Sequence, residues 1–274
     1  MTPFAYSALM LQAENAAHPF RFFGWVLLLS APFYIWGVFW PVRGLPFGLP
    51  ATVVMVVAPA MVATALTRRE QGAEGARELW RRIGDVGSIP SASWFLTALV
   101  FMPAASLFGY FMMRLFDLSL PAAVSVSLTQ APVLFAVYFF GAIFEEIGWT
   151  GYATGPLQEQ YGILSAGLMI GAVWALWHVA PWWLGQGHAL SWVIWQALAT
   201  TSMRIIMGWI YAYGGRSLLL SIVFHAMINV SYSLFPNEGS HYDPFILAAV
   251  LAITIGIIAL THALVWRAAS WKNW

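Results

Sequence analysis

The residues of this chain best suited to chemistry are two adjacent glutamates inside an apolar segment. Glu145 and Glu146 are the only charged residues in the run APVLFAVYFFGAIFEEIGWTGY, in a chain that is 61% hydrophobic and 8% charged. A carboxylate at bilayer depth costs at least about 2.5–3.5 kcal/mol, so such a pair is kept only with buried partners and usually for a function. We therefore expect the chemistry of this protein to centre on these two side chains.

Candidate partners lie in two other apolar segments. His178 occurs in VWALWHVAPWW, and His225 and Asn229 occur in LLLSIVFHAMINV. Because His225 and Asn229 are four residues apart, a helix places both on one face, where they direct two hydrogen-bond donors to the same point. A carboxylate base, a histidine that shares the proton and a donor pair for an oxyanion are the parts that water-mediated acyl hydrolysis requires.

The two glutamates cannot perform the same task, since adjacent helical residues point about 100° apart. One can face a cavity while the other braces a neighbouring helix. Each histidine alone also has a structural interpretation, as a hydrogen-bond partner between helices. The combination of two glutamates, two histidines and an asparagine on separate helices favours a functional one. Arg204, deep in another apolar segment, either neutralises the glutamates or lies near a membrane interface, and both alternatives stay open.

Composition assigns the chain to the polytopic membrane proteins. Charged residues make up 8% of it, against about 25% in soluble domains. Eight segments approach the length of about 20 apolar residues that a spanning helix needs. We predict an all-α bundle of about eight transmembrane helices, organised as one integral membrane domain over residues 1–274. The predicted spans are 22–40, 49–67, 92–113, 130–152, 162–183, 189–212, 216–235 and 245–266.

The placement of basic residues predicts the orientation of this bundle. The segment 68–91 carries five arginines and the C-terminal tail carries Arg267 and Lys272, whereas the opposite side carries only Arg43 and Arg114. The positive-inside rule then places both termini in the cytoplasm. Of the 12 basic residues only Lys272 is lysine, a bias typical of GC-rich bacteria, so we expect a bacterial inner membrane.

Local patterns add three expectations. Glutamates at four-residue intervals in segment 68–91 predict a short amphipathic helix at the membrane surface. The dipeptide Gly155-Pro156 is expected to break the helix that carries the glutamates. A stripe of small residues on that helix favours close approach of its neighbours, and it consists of Gly141, Gly148, Gly151 and Gly155.

Absences narrow the possible chemistry and partners. The chain contains no cysteine, which excludes thiolate catalysis, disulfides and cysteine-ligated metal sites. No basic surface indicates nucleic acid as a partner, and the lipid bilayer is the partner that the composition implies. Nothing in the sequence indicates the oligomeric state.

The motifs resemble those of the CPBP intramembrane endopeptidases, the CAAX prenyl protease and bacteriocin-processing family, also called the ABI family. The family signature is EExxxR, then an aromatic residue four positions before a histidine, then HxxxN or HxxxD, on three membrane helices. The resemblance covers about residues 50–235. Its three motifs appear here as Glu145-Glu146-Ile-Gly-Trp-Thr150, Trp174-Ala-Leu-Trp-His178 and His225-Ala-Met-Ile-Asn229.

The resemblance implies a role for each residue. Glu145 would be the general base that activates water, with His178 sharing this task and Glu146 in support. His225 and Asn229 would form the oxyanion hole. It implies an intramembrane endopeptidase that depends on glutamate and needs no cofactor or metal. Its substrate would be a peptide or membrane protein, cut near the cytoplasmic half of the bilayer. Were zinc present, the ligand types point to Glu145, His178 and His225.

Thr150 departs from the signature, because it stands where the family has arginine. Its presence removes a cation that could pair with a glutamate, and Arg204 is a candidate replacement. Two alternative functions follow. A catalytically silent binding or scaffold protein on the same fold is one. The other is a proton-coupled carrier with the glutamates as a relay, although the internal repeats expected of a carrier are not evident.

Overall fold

Helices make up the fold, and no strand occurs in the part of the chain that the structure describes. The computed structural model describes residues 17–39, 55–120 and 123–270, with side chains over 17–36, 55–120 and 123–261. The predicted all-α membrane bundle is confirmed. The α-helices are α1 Pro19–Phe39, α2 Ala58–Arg81, α3 Ala92–Leu115, α4 Ala131–Glu146, α5 Gly155–Ala180, α6 Leu190–Tyr213, α7 Leu218–Leu234 and α8 Pro244–Ser270.

Each predicted span corresponds to one of these helices, although residue 40 of the first span and residues 49–54 of the second lie outside the described part. Three helical stretches are long and apolar enough to cross a membrane: Ala92–Leu115, Ala131–Gly185 and Pro244–Thr261. Leu218–Leu234 is apolar but shorter. These stretches make the chain an integral membrane protein, while the number of eight spans stays a prediction.

The helix that carries the glutamates was expected to break at Gly155-Pro156, but the long stretch that begins at Ala131 continues through that dipeptide. A π-helical segment, Ile147–Thr154, continues α4 into α5, and proline in the first turn of a helix loses no hydrogen bond. The helix is interrupted instead at Gly162, with φ 80° and ψ 167°. Trp174 lies 29 residues after Glu145, yet its indole nitrogen is 2.9 Å from that carboxylate. A straight helix would separate them by about 43 Å, so the chain turns back between them.

The connections between helices gather at two opposite ends of the bundle. At one end, Asn237 accepts a hydrogen bond from the backbone of Ser125 at 2.6 Å and donates to the carbonyl of Ala123 at 2.8 Å. Tyr242 from the same connection donates to Gln196, near the start of α6, at 3.0 Å. We call this the Asn237 end, formed by residues 116–120, 123–130, 181–189 and 235–243.

The opposite end carries four arginines in its connections and helix ends, and we call it the arginine end. It is formed by residues 73–91, 155–162 and 214–217. The buried side chain of Arg82 donates to the carbonyl of Gly151 at 2.7 Å and to the hydroxyl of Tyr211 at 2.8 Å. Arg216 pairs with Glu159 at 3.1 Å. Arg82 therefore ties the start of the α2–α3 connection to the helix that carries the glutamates.

The predicted amphipathic helix lies within α2, whose regular geometry is interrupted at Gly72 with φ 75°. Beyond it the exposed Arg77 pairs with Glu74, and Arg81 pairs with Glu78 at 2.9 Å. These pairs are three residues apart on one helical face. Exposed pairs of this kind contribute little stability, about 0.3–0.5 kcal/mol each.

The glycine stripe on the glutamate helix brings α1 and α2 close at one position. A Cβ added at Gly148 would lie 2.7 Å from side-chain atoms of both Phe22 and Pro59. A Cβ at Gly151 would lie 3.0 Å from Leu79, whereas nothing lies within 4 Å of one at Gly141. Close approach is thus confirmed at Gly148 and Gly151, and Gly141 faces open space.

α5 and α6 approach each other closely through two glycines of α5. A Cβ at Gly167 would lie 2.8 Å from the Cα of Ile205, and one at Gly171 would lie 2.8 Å from the Cα of Thr201. Since neither backbone can give way, this contact requires glycine. It also sets the distance between Trp174 on α5 and Arg204 on α6.

We expect Gly171→Ala to lower the free energy of unfolding by about 1–3 kcal/mol, because the added methyl group overpacks the α5–α6 contact. Gly141→Ala is the matched control. It should be neutral or stabilising by about 0.5–1 kcal/mol, since helical alanine is favoured over glycine where space is open. Thermal unfolding of the purified proteins in detergent measures both. Equal melting temperatures for the two variants would contradict the close approach.

Candidate active site

Glu146 is the most fully satisfied charged group of the site. Its side chain is 0% exposed, and its carboxylate forms a bidentate ion pair with Arg204. One guanidinium nitrogen lies 2.7 Å from Oε2 and the other lies 3.0 Å from Oε1. The carboxylate also accepts hydrogen bonds from the Thr150 hydroxyl and, at 2.7 Å, from Nδ1 of His225. Four donors leave Glu146 no free lone pair for substrate.

Arg204 is the cation that the glutamate helix lacks. Its side chain is 1% exposed, and its guanidinium lies 4.2 Å from the centre of the Trp174 ring. The same nitrogen that binds Glu146 lies 3.4 Å from the hydroxyl oxygen of Thr150. Of the two alternatives for Arg204, the structure shows the one in which it neutralises a glutamate. The guanidinium lies directly beside the residue that replaces the signature arginine.

Glu145 points in a different direction and lines a cavity. Its residue is 7% exposed, and Oε2 accepts a hydrogen bond from the indole nitrogen of Trp174 at 2.9 Å. Oε1 lies 4.0 Å from Nε2 of His225. The expected division between one glutamate that faces a cavity and one that braces a neighbouring helix is therefore what the structure shows.

The hydrogen bond of His178 fixes its tautomer. Nδ1 lies 2.8 Å from the backbone carbonyl of Trp174, and because a carbonyl only accepts, Nδ1 carries the hydrogen. In the neutral ring, Nε2 then offers a lone pair. Trp182 stacks on the imidazole at 5.2 Å, and Trp177 contacts it edge-on at 4.8 Å between ring centres. The ring is thus held with one basic nitrogen available.

His225 is oriented by the ion pair. Its Nδ1 donates to Glu146 at 2.7 Å, so its Nε2 can donate a second hydrogen bond only when the ring is an imidazolium. In that form His225 and Arg204 together balance the charges of the two carboxylates. Nε2 of His225 is therefore a hydrogen-bond donor only in the form in which two cations balance the two carboxylates.

A cavity of about 150 Å³ brings these side chains together. Glu145, His178, His225 and Asn229 all line it, and Glu146 does not. It is large enough to hold water. All five residues selected from the sequence thus lie in one cluster, with four on the cavity wall.

The cavity wall also contains polar side chains that belong to none of the motifs. Gln196, Thr200, Ser231 and Tyr242 line it, and Tyr242 donates to Gln196 at 3.0 Å. Burial raises the pKa of Tyr242 far above its usual range, so its phenol stays neutral. No sequence spacing connects these residues to the glutamates, and sequence analysis missed them.

Two further contacts, made by Trp174 and Thr150, were not predicted, although both residues belong to the motifs in the sequence. The pattern that places an aromatic residue four positions before His178 predicts contact with that ring, and the structure adds a bond from Trp174 to Glu145. Thr150 was considered only as a missing cation, yet its hydroxyl binds Glu146. Both residues position the carboxylates.

The possible metal ligands do not form a metal cluster. Over the described residues, no group of three or more His, Asp or Glu side chains is arranged to hold a metal ion. Glu145, His178 and His225 line one cavity without such an arrangement. The expectation that the chemistry needs no metal or cofactor stays a prediction.

Comparison with known proteins gives two findings. Residues 127–231 match the family described as type II CAAX prenyl endopeptidase, Rce1-like. The chain is also similar to CAAX prenyl protease 2 of Methanococcus maripaludis. The identity is 27% over 197 residues, which cover 65% of this chain and 70% of that protein. The family match contains all the motif residues described above, and Arg204 as well.

We expect Arg204→Met to lower the free energy of unfolding by about 3–5 kcal/mol, because it leaves Glu146 buried and unpaired. The double variant Glu146→Gln/Arg204→Met should recover much of this loss, since no charge remains uncompensated. Arg216→Met, which removes a half-exposed pair with Glu159, is the control and should cost about 0–1 kcal/mol. Denaturation in detergent measures all three. Equal stability of the single and double Arg204 variants would contradict the buried pair.

Proposed function

Because this chain belongs to the CAAX prenyl protease family, we propose that it is an intramembrane endopeptidase in which Glu145 and His178 activate water. The observation that carries this proposal is the shared cavity. A carboxylate, a basic imidazole nitrogen, a second imidazole and an amide line it together, while Glu146 is fully occupied by its own donors. Peptide-bond hydrolysis needs this combination of base and oxyanion donors.

The attacking water would bind between Glu145 and His178. Oε2 of Glu145 is held by Trp174, so Oε1 faces the cavity as a proton acceptor. Nε2 of His178 offers a second acceptor, because Nδ1 is committed to a backbone carbonyl. Two fixed acceptors orient the lone pair of water toward a substrate carbonyl and take up its proton as the C–O bond forms.

The oxyanion that forms would be bound by Asn229 and His225. The amide of Asn229 and the imidazole of His225 both lie on the cavity wall, four residues apart on α7. Fixed donors of this kind act on charge that develops only in the transition state. When the tetrahedral intermediate collapses, the proton held by Glu145 or His178 passes to the leaving amine, and the C–N bond breaks.

Arg204 would replace the signature arginine in function. It comes from α6 instead of the glutamate helix, yet it reaches the same carboxylate and lies 3.4 Å from Thr150. The alternative of a catalytically silent scaffold rests on the missing cation, whereas the guanidinium of Arg204 lies beside Thr150. We therefore favour the endopeptidase, with a catalytic core at about residues 50–235.

Other features of the proposal concern the surroundings of the site. The substrate is a peptide or membrane protein within the lipid bilayer, and the chemistry uses no metal. We place the chain in a bacterial inner membrane with both termini in the cytoplasm, on the strength of the arginine distribution.

We expect Glu145→Gln to lower peptide cleavage by roughly 10²–10⁴-fold, the usual contribution of a general base. Quantitative profiling of peptide termini in membranes that contain either the wild type or the variant measures this. Glu159→Gln, at the arginine end, is the matched control and should cleave like the wild type. If all three membranes show the same new termini, Glu145 is not the base. If none shows any, the silent scaffold is the better interpretation.

A relocated arginine tests the role of Arg204. Arg204→Ala should abolish cleavage, whereas the double variant Thr150→Arg/Arg204→Ala returns a guanidinium to the same carboxylate and should restore part of the activity. Terminus profiling measures cleavage, and the melting temperature of each protein is the control for folding. A double variant that regains its melting temperature but not its cleavage would contradict this role.

A further inference from the structure

The position of the active-site cavity along the bundle indicates from which side substrate enters. Three of its lining residues, Trp182, Gln186 and Tyr242, belong to connections at the Asn237 end. Gln186 is exposed. A second, smaller cavity of about 30 Å³ also borders Tyr242 and runs past Tyr110 and His241. The cavity therefore continues from Glu145 to the surface of the Asn237 end.

Toward the arginine end, side chains of the described residues close the cavity. Its floor is Glu145 and His225, and behind them lies the buried ion pair of Glu146 and Arg204. Below that pair the bundle is filled with apolar side chains that are fully buried, among them Ile147, Trp149 and Ile206. No cavity-lining residue belongs to the connections of the arginine end. Among the described residues, the lining of the cavity therefore leads toward the Asn237 end.

The charges of the two ends orient this path in the membrane. The basic residues of the arginine end are Arg77, Arg81, Arg82 and Arg216. At the Asn237 end, the described connections hold the acidic residues Asp117, Glu238 and Asp243, with Arg114 in the last turn of α3. Arginine and lysine are retained on the cytoplasmic side of membrane proteins. The arginine end is therefore cytoplasmic, and the cavity mouth faces the opposite side.

We infer that the active site opens to the extracytoplasmic face and takes as substrate an extracytoplasmic segment of a membrane-anchored or exported polypeptide. The nature of the substrate rests on the proposed function, whereas the direction of the opening does not. The inference replaces the expectation of cleavage near the cytoplasmic half of the bilayer. It also sets this chain apart from an enzyme that processes proteins at the cytoplasmic surface.

Single cysteines test the direction directly, because the natural chain contains none. Leu128→Cys reports on the Asn237 end, where Leu128 is 75% exposed. Glu74→Cys reports on the arginine end, where the Glu74 side chain is 68% exposed. Ser106→Cys, a small change on the cavity wall, and Gln186→Cys at its mouth report on the cavity itself. Each protein is treated in spheroplasts with a charged, membrane-impermeant methanethiosulfonate, before or after permeabilisation.

We expect Leu128→Cys, Gln186→Cys and Ser106→Cys to react in intact spheroplasts, and Glu74→Cys to react only after permeabilisation. The inverse pattern would overturn the inference, because the cavity would then open to the cytoplasm. Ser106→Cys that reacts from neither side, in a protein with unchanged melting temperature, would equally overturn it. Labelling requires no catalysis, so its outcome does not depend on whether Glu145→Gln lowers peptide cleavage. If labelling is as expected, the new termini in wild-type membranes should belong to extracytoplasmic segments.

Discussion

The bidentate pair between Glu146 and Arg204 is the constraint on which the rest of the site depends. Both groups are fully buried, and neither is tolerable there without the other, because an isolated charge in such surroundings costs several kcal/mol. The pair fixes the spacing of α4 and α6. It also orients His225 through the remaining lone pair of Glu146. A group that never reaches the cavity thus determines how the cavity wall is arranged.

Trp174 connects this ion pair to the cavity. Its ring lies beneath the guanidinium of Arg204, its indole nitrogen binds Glu145, and its backbone carbonyl binds His178. The close approach of α5 and α6 through Gly167 and Gly171 makes these contacts possible. One residue therefore positions both groups proposed to activate water, which accounts for the aromatic position in the second motif in physical terms.

The sequence predicted the fold class and the members of the cluster because both depend on local signals. Apolar runs specify membrane helices, and charged or polar residues within them are costly enough to be informative. The break at Gly162 was missed because a proline at Gly155-Pro156 is compatible with the first turn of a helix. The partner of Glu146 could not be chosen from sequence, since Arg204 lies 58 residues away. The cavity depends on distances between helices, which no spacing along the chain encodes.

The guanidinium that pairs with Glu146 comes from α6, and this matters for deciding which relatives of this protein are active enzymes. A motif search that requires arginine four positions after Glu146 would class this chain among the pseudoenzymes. In this chain, however, a guanidinium from α6 reaches the carboxylate of Glu146 and lies 3.4 Å from the hydroxyl oxygen of Thr150. Homologues without the motif arginine are better judged by whether α6 carries a basic residue at the position of Arg204. Covariation between these two positions would mark the lineages in which the charge has moved.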